Sequence, residues 1–394
     1  MSSSASCPHR PPCPGCPRFG ETAPAPDAIA DLEALCAQTD LPPPTLHGTQ
    51  GLAHRHRARL AVRGRARSPK IGLFQAGSHR IVDTPSCGVH HPLINEVADH
   101  LKRAMKAAGI EPYADKPHRG ALRYVQVVVE RETERAQVVL VGNGTSPDVL
   151  GDVPERLSAA LGDRLQGLFF NAQPERSNTI FGSKTIKLAG QDMVHETLGG
   201  ADVLFPPAAF GQNHLPLFGE AVSRIHDLIA PDQVVAEFYC GVGAMGLGLL
   251  ERSREVRFNE RSPDGLTGLE AGLAMRPQAE RERARILPGA AGDRLDALDG
   301  ADVVLVDPPR KGLDAALLTR LVEDPPQQLI YLACGLPALL RELEEIREAG
   351  LLSLRGVEAF DFFPFTGHVE TLVWLTRNEE QSAPVPFTAP TEPR

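Results

Sequence analysis

The chain has 394 residues, of which 42% are hydrophobic and 23% charged, and its formal net charge is −9. That length exceeds one ordinary core and calls for two or three domains. The acidic balance argues against a globally basic nucleic-acid binder, and no run of about 18 apolar residues is available to span a membrane.

The N-terminus, MSSSASCPHR, lacks an apolar signal core. Seven cysteines are an odd number and do not look like a disulfide framework. Together these predict a cytoplasmic protein in a reducing setting. Residues 1–28, rich in Cys, Pro and Ser, read as loop. In that loop Cys7, Cys13 and Cys16 are spaced C-x5-C-x2-C, and Cys87 in VDTPSCGVHHPL is a fourth candidate. Thiolates this close favour a metal centre, and four could hold either zinc or a [4Fe–4S] cluster.

Ala25–Thr39 has helical spacing with Cys36 on its apolar side, and DLPPPT (Asp40–Thr45) reads as a linker. From His54 to Lys70 there are seven Arg or Lys and no acid, interleaved with Leu60, Ala61 and Val62. This predicts a strand with one charged side that can grip phosphates. From about 55 to 205 the pattern is mainly strands: ARLAVRG, KIGLFQ, LRYVQVVVE, RAQVVLVG and TIFG. An amphipathic helix over Pro92–Gly109 interrupts them, and SPDVLGDVPERLSAALGDRL predicts a second. This half is expected to be α+β.

After a helix at Leu217–Ile229 the grammar becomes alternating strand and helix, as in a doubly wound sheet. The implied division is 1–50 Cys-rich, 51–215 central α+β, 216–378 Rossmann-like α/β, and 379–394 a disordered tail. EFYCGVGAMGLG sets Gly241, Gly243 and Gly246 after a strand and before an expected helix, the pattern that brings backbone close to a nucleotide. Glu237 ends that strand, and Glu260 ends the next, where a carboxylate can accept ribose hydroxyls. The motif alone leaves a nicotinamide cofactor and S-adenosylmethionine both open. Asp307-Pro308-Pro309-Arg310-Lys311 closes a later strand on the same face. Cys334 closes another, and Glu370 opens the apolar run ETLVWL. A free cysteine is ordinarily a small buried hydrophobe; its place on the active face favours chemistry.

FPPAAFGQN, EFYCGVGAMGL, VDPPRKGL, YLACGLPALLREL and FPFTGHVETL, in that order, resemble the S-adenosylmethionine-dependent RNA uracil-C5 methyltransferases. The resemblance runs from Cys7 to about Arg377. It implies Cys334 as nucleophile and Glu370 as general base. It implies Gln212, Glu237, Tyr239, Gly241, Gly243, Glu260 and Asp307 around the cofactor. Phe210, Asp307, Arg310 and Lys311 would then face the RNA. It favours [4Fe–4S] over zinc for Cys7, Cys13, Cys16 and Cys87. Arg310 stands where enzymes methylating exocyclic amines carry an aromatic, which points away from N-methylation. Where the family usually has Ser-Cys-Asn-Pro this chain has Ala333-Cys334-Gly335-Leu336, and Glu237 replaces the usual Asp. The family's small amino-terminal β-barrel is not expected, because six residues precede Cys7; this resembles the branch acting on large-subunit ribosomal RNA more than transfer RNA. Two rival readings are an inactive RNA-binding relative and a nicotinamide-dependent oxidoreductase with an iron–sulfur centre. The second leaves Asp307-Pro308-Pro309 and the Cys334/Glu370 pair unused.

Overall fold

The computed structural model describes residues 6–21, 23–48 and 51–378, so the expected tail at 379–394 lies outside the described residues. Its larger sheet has eight strands. Their order is Thr45–His47, Leu352–Phe360, Glu370–Arg377, Gln328–Ala333, Val303–Val306, Val234–Phe238, Glu255–Glu260 and Ala284–Pro288. The last five are mutually parallel, and Glu370–Arg377 runs antiparallel to both its neighbours. The strands VVAEF and VVLV are buried at every position. Such runs do not alternate, because a parallel sheet is covered on both faces.

On one face Val235, Leu305 and Ile330 pack with Leu217 and Phe218 of the helix Leu215–Leu228. On the other, Val304, Leu329 and Tyr331 pack with Leu317 and Leu339 from the helices Ala315–Glu323 and Leu336–Ala349. The helix Pro26–Gln38 joins this second core through Leu32 and Cys36, both buried. The expected linker leads directly into Thr45–His47, which pairs parallel with Glu358–Phe360. Residues 25–47 therefore belong to the α/β half, not to a separate region ending at 50; their apolar stripe finds its cover there. The hairpin Val194–Leu198/Ala201–Phe205, placed by the sequence in the central half, also packs on this core.

The second sheet has seven strands, in the order Ile81–Asp83, Ser68–Phe74, Arg57–Arg65, Leu122–Val129, Ala136–Gly142, Leu165–Ala172 and Lys184–Gly190. Only the pair Ala136–Gly142 and Leu165–Ala172 is parallel. Leu60, Val62, Val127 and Val138 face the helices Pro92–Ala108 and Val153–Leu161. The expected second helix is broken: 3₁₀ turns at Pro147–Leu150 and Gly162–Arg164 flank Val153–Leu161. TIFG is not a strand; pairing starts at Lys184. The glycine motif is followed by turns and a 3₁₀ segment, Leu247–Glu251, rather than an α-helix.

The basic strand departs furthest from expectation. Arg57 and Arg63 are buried. Arg63 donates to both Asp115 carboxylate oxygens, at 2.9 Å each, and to the carbonyls of Val62 and Arg123. Its guanidinium lies against the rings of Phe74, Tyr113 and Tyr124. A cation so fully engaged holds the fold together and is not displayed to phosphates.

Candidate active site

The C-terminal ends of the parallel strands open onto a cavity of about 490 Å³. That is within the size range of small-molecule sites, roughly 300–1,000 Å³. Phe210, Gln212, Tyr239, Gly241, Glu260, Asp307, Arg310, Lys311 and Cys334 all line it. Glu237, Gly243 and Glu370 do not.

The first strand ends at Phe238, and Tyr239 turns the chain with φ of 59°, a conformation rare outside glycine and typical of constrained sites. Its hydroxyl accepts the Asp314 amide at 2.9 Å, tying the glycine loop to the loop that follows Asp307. Glu260 accepts the amides of Gly241 at 2.9 Å, Arg261 at 2.8 Å and Ser262 at 2.6 Å. Three N–H donors fix this carboxylate at the cavity edge, where a nucleoside's hydroxyls can reach it. Glu237 lies fully buried beneath the loop, and burial followed by Asp307 pushes its carboxyl well above the usual range. A Cβ on Gly246 would sit 2.1 Å from the Glu237 carboxyl, so only glycine lets the loop close over it. Glu237, expected at the cofactor, lies under the loop and does not line the cavity.

Cys334 is half-buried and sits just ahead of the helix Leu336–Ala349. The helix N-terminus favours a thiolate there. Burial, then Glu370 and Asp307, push the thiol up to about 11, and Arg310 pulls it down. Glu370 is wholly buried, and neither carboxyl oxygen has a hydrogen-bond partner among the described residues. Burial and Asp307 raise its pKa well above the ordinary value, and Arg310 opposes them. Burial raises Asp307 as well. One thiol, two carboxyls and one guanidinium thus form a single electrostatic unit. The glycine that follows Cys334 has a local cause. A Cβ on Gly335 would lie 2.5 Å from the Arg310 carbonyl, so glycine lets the two loops touch, and Pro337 stiffens the helix's first turn.

Asn213, Arg261, Gly289 and Phe363 also line the cavity and were missed. Arg261 and Gly289 follow strand ends, which is the signal that could have found them. Glu342 was missed too. It accepts the Tyr331 hydroxyl at 2.8 Å and the Leu313 amide at 3.1 Å, anchoring the loop after Asp307 from the apolar side of a helix.

Cys7, Cys13, Cys16 and Cys87 converge on a second cavity of about 90 Å³, beside Arg55 and His90. Burial and then Cys87 push Cys16 up to about 11; Arg55 opposes, and Cys13 and Cys7 add to the rise. Among the described residues no three His, Cys, Asp or Glu side chains are placed to hold a single metal ion. No helix among them is long and apolar enough to cross a membrane.

A doubly wound sheet with a glycine loop, an acid on the second strand and a thiol–carboxyl pair at the strand ends defines a nucleoside-cofactor-dependent transferase. A sequence model described as tRNA (Uracil-5-)-methyltransferase matches residues 273–378. An uncharacterised RNA methyltransferase of Protochlamydia amoebophila is 31% identical over 382 residues, 94% of this chain and 97% of that protein. One from Gloeobacter violaceus is 31% identical over 85% of this chain and 73% of its own length. The fold resembles the Pyrococcus abyssi tRNA (uracil-54, C5)-methyltransferase in complex with S-adenosyl-L-homocysteine. The TM-score is 0.74 at 21% identity, over 89% of this chain and 83% of that one. The chain belongs to the family of these RNA methyltransferases, and its C-terminal part matches the tRNA (Uracil-5-)-methyltransferase model.

Proposed function

We propose that this protein methylates C5 of a uridine in RNA, with S-adenosylmethionine as donor, Cys334 as nucleophile and Glu370 as general base. The observation that carries this reading is that Cys334 opens onto the same cavity as the glycine loop, Asp307 and Phe210, with Glu370 buried behind it. Glu260 and Gln212 would hold the donor, along the strand ends. When bound, S-adenosylmethionine supplies a methyl group on a sulfonium whose positive charge favours ionised Asp307, Glu370 and Cys334.

Uracil C5 is a weak nucleophile. The Cys334 thiolate adds to C6, and the C5–C6 π electrons move toward C5 and the C4 carbonyl. C5 would then take the methyl group from the donor's sulfonium as that carbon–sulfur bond breaks, its electron pair staying on sulfur and the donor leaving as a neutral thioether. Glu370 removes the C5 proton, the C5–C6 double bond re-forms, and the C6–sulfur bond breaks. The base must leave its stack to reach the thiol. Phe210 stands 68% exposed at the cavity mouth, where a ring can stack on the extruded base, a contact worth about 1–3 kcal/mol. RNA carrying 5-fluorouridine tests the scheme, because fluorine cannot leave as a proton and the adduct persists. A covalent complex is expected with the wild-type protein and donor, and none with Cys334→Ala. Trapping that survives Cys334→Ala overturns the assignment.

We place the target in ribosomal RNA on the motif resemblance. Transfer RNA is the second reading, on the likeness to the archaeal tRNA enzyme. Mapping 5-methyluridine in both RNAs from a deletion strain decides between them. We also infer that Cys7, Cys13, Cys16 and Cys87 hold a [4Fe–4S] cluster. Four thiols line one cavity, the donor set such a cluster takes. The methyl transfer needs no electron, so the cluster's task is structural or in RNA binding. Iron and sulfide analysis of Cys87→Ser, expected to show loss of both, checks it. All seven cysteines are free, in keeping with residence in the cytoplasm.

A further inference from the structure

The cavity wall that carries Phe210 and Gln212 has no regular secondary structure. It spans residues 206–214, between the hairpin ending at Phe205 and the helix starting at Leu215. Three of its carbonyls are gripped from the other half, two by strands of the central sheet and one by the residue leading into it. Gln126 Nε2 donates to Pro207 O at 2.7 Å, and Arg57 Nη1 donates to Ala209 O at 2.9 Å. The His56 amide donates to Asn213 O at 3.0 Å. Arg57 and Gln126 lie on neighbouring strands of the central sheet, where Arg57 pairs with Val128 and Arg59 with Gln126.

Both anchors are sealed from water, Arg57 at 6% exposure and Gln126 at 1%. Packing leaves the wall little slack: a Cβ on Gly211 would lie 2.8 Å from Arg57 Nη2. Gln126 is itself locked, since its Oε1 accepts Arg59 Nε at 2.6 Å. Arg59 in turn lies 4.8 Å from the centre of the Phe181 ring. A buried guanidinium bonded to a backbone carbonyl is costly to keep where an apolar side chain could fill the space. What it gives in return is a fixed height for the residue just before Phe210.

We propose that Arg57 and Gln126 are positioning residues, set in the central sheet, that hold the Phe210–Gln212 wall at the height needed to seat the extruded base. The inference rests on the methyl-transfer reading above. A displacement of about 1 Å in a positioned group can cost on the order of 100-fold in rate. Two bonds and a backbone contact share this load, so loss of one is expected to cost about tenfold.

Hydrogen exchange on the free protein, followed by steady-state kinetics with RNA, tests it. In Gln126→Leu, exchange at 207–213 is expected to rise about tenfold while Val234–Phe238 stays unchanged. The kcat should fall about tenfold, with RNA affinity within about twofold of wild type. Arg57→Met should do the same, and Arg57→Lys, which keeps one donor, should recover part of kcat. Unchanged exchange at 207–213 in Gln126→Leu overturns the proposal. So does a rise spread evenly over both sheets, which would make the residue a general support. If Arg57→Met fails to fold, Gln126→Leu alone decides. If the wild type makes no 5-methyluridine while 207–213 still loosens as expected, the reaction reading fails and the anchoring stands.

Discussion

The buried arginines of the central sheet and the buried acids at the strand ends of the larger sheet are treated in opposite ways. In the central sheet each buried arginine is met by partners. Arg63 has a carboxylate, two carbonyls and three aromatic rings, and Arg123 donates to the carbonyls of Gln173 and Glu175 at 2.6 Å. At the strand ends of the other sheet the carboxyl of Glu370 has no hydrogen-bond partner among the described residues, and the groups that act on it are Asp307, Cys334 and the Arg310 cation. Satisfied charge is architecture, whereas unsatisfied charge is available for reaction. Arg57 and Arg63 of the basic strand are the first kind, and the acidic pocket is the second.

The sharpest way to break the contrast is at the nucleophile. Cys334→Ala should abolish the 5-fluorouridine adduct and lower turnover by on the order of 10⁴-fold or more, measured as methyl transfer to RNA. Next comes the base. Glu370→Gln should lower turnover by about 10²–10⁴-fold while adduct builds up on ordinary uridine RNA, visible on a denaturing gel. The same change should stabilise the fold. A carboxyl whose folded pKa is raised favours the native state below its unfolded pKa, near 4.3, and loses that advantage as pH rises. The gain in melting temperature of Glu370→Gln over wild type should therefore be larger at pH 8 than at pH 5. A variant that is no more stable at pH 8 would mean that the carboxyl is paired after all.

On the other side of the comparison, Arg63→Met should cost about 2–3 kcal/mol in denaturant unfolding, from lost hydrogen bonds and ring contacts. Turnover per folded molecule should be unchanged; a specific loss of RNA affinity would restore the phosphate-gripping role. The smallest effect is expected at Arg310, which lowers both Cys334 and Glu370. Arg310→Gln should move the rising limb of kcat/KM to higher pH and reduce the rate at pH 7 by about tenfold. An unmoved pH profile would take Arg310 out of the electrostatic unit.

Much of the site was legible because it lies at strand ends. VVAEFY, ADVVLVD and QLIYLA are mostly apolar runs, EVRFNE alternates, and the ends of all four mark the cavity rim. Glu370 stood out as an acid opening an apolar strand. Asn213 and Glu342 were less visible, since each is defined by what it faces across the fold. Charge pattern misled at His54–Lys70, because alternation shows which residues share a face and not what covers that face. The broken helix near Val153 was hidden for a related reason: apolar spacing continued through Gly151 and Gly162, whose φ values of 54° and 52° interrupt the helix.

The sequence by itself determined the strand-and-helix grammar of the α/β half, the glycine loop and the thiol–carboxyl pair, because backbone propensity, periodicity and motif order are local properties. Only the tertiary structure decided that residues 25–47 complete the α/β sheet, that Arg57 and Arg63 of the basic strand point inward to partners, and that the wall carrying Phe210 is held by Arg57 and Gln126. Those outcomes turn on which surface covers which, and burial and pairing across distant segments are set by packing, which no local pattern records.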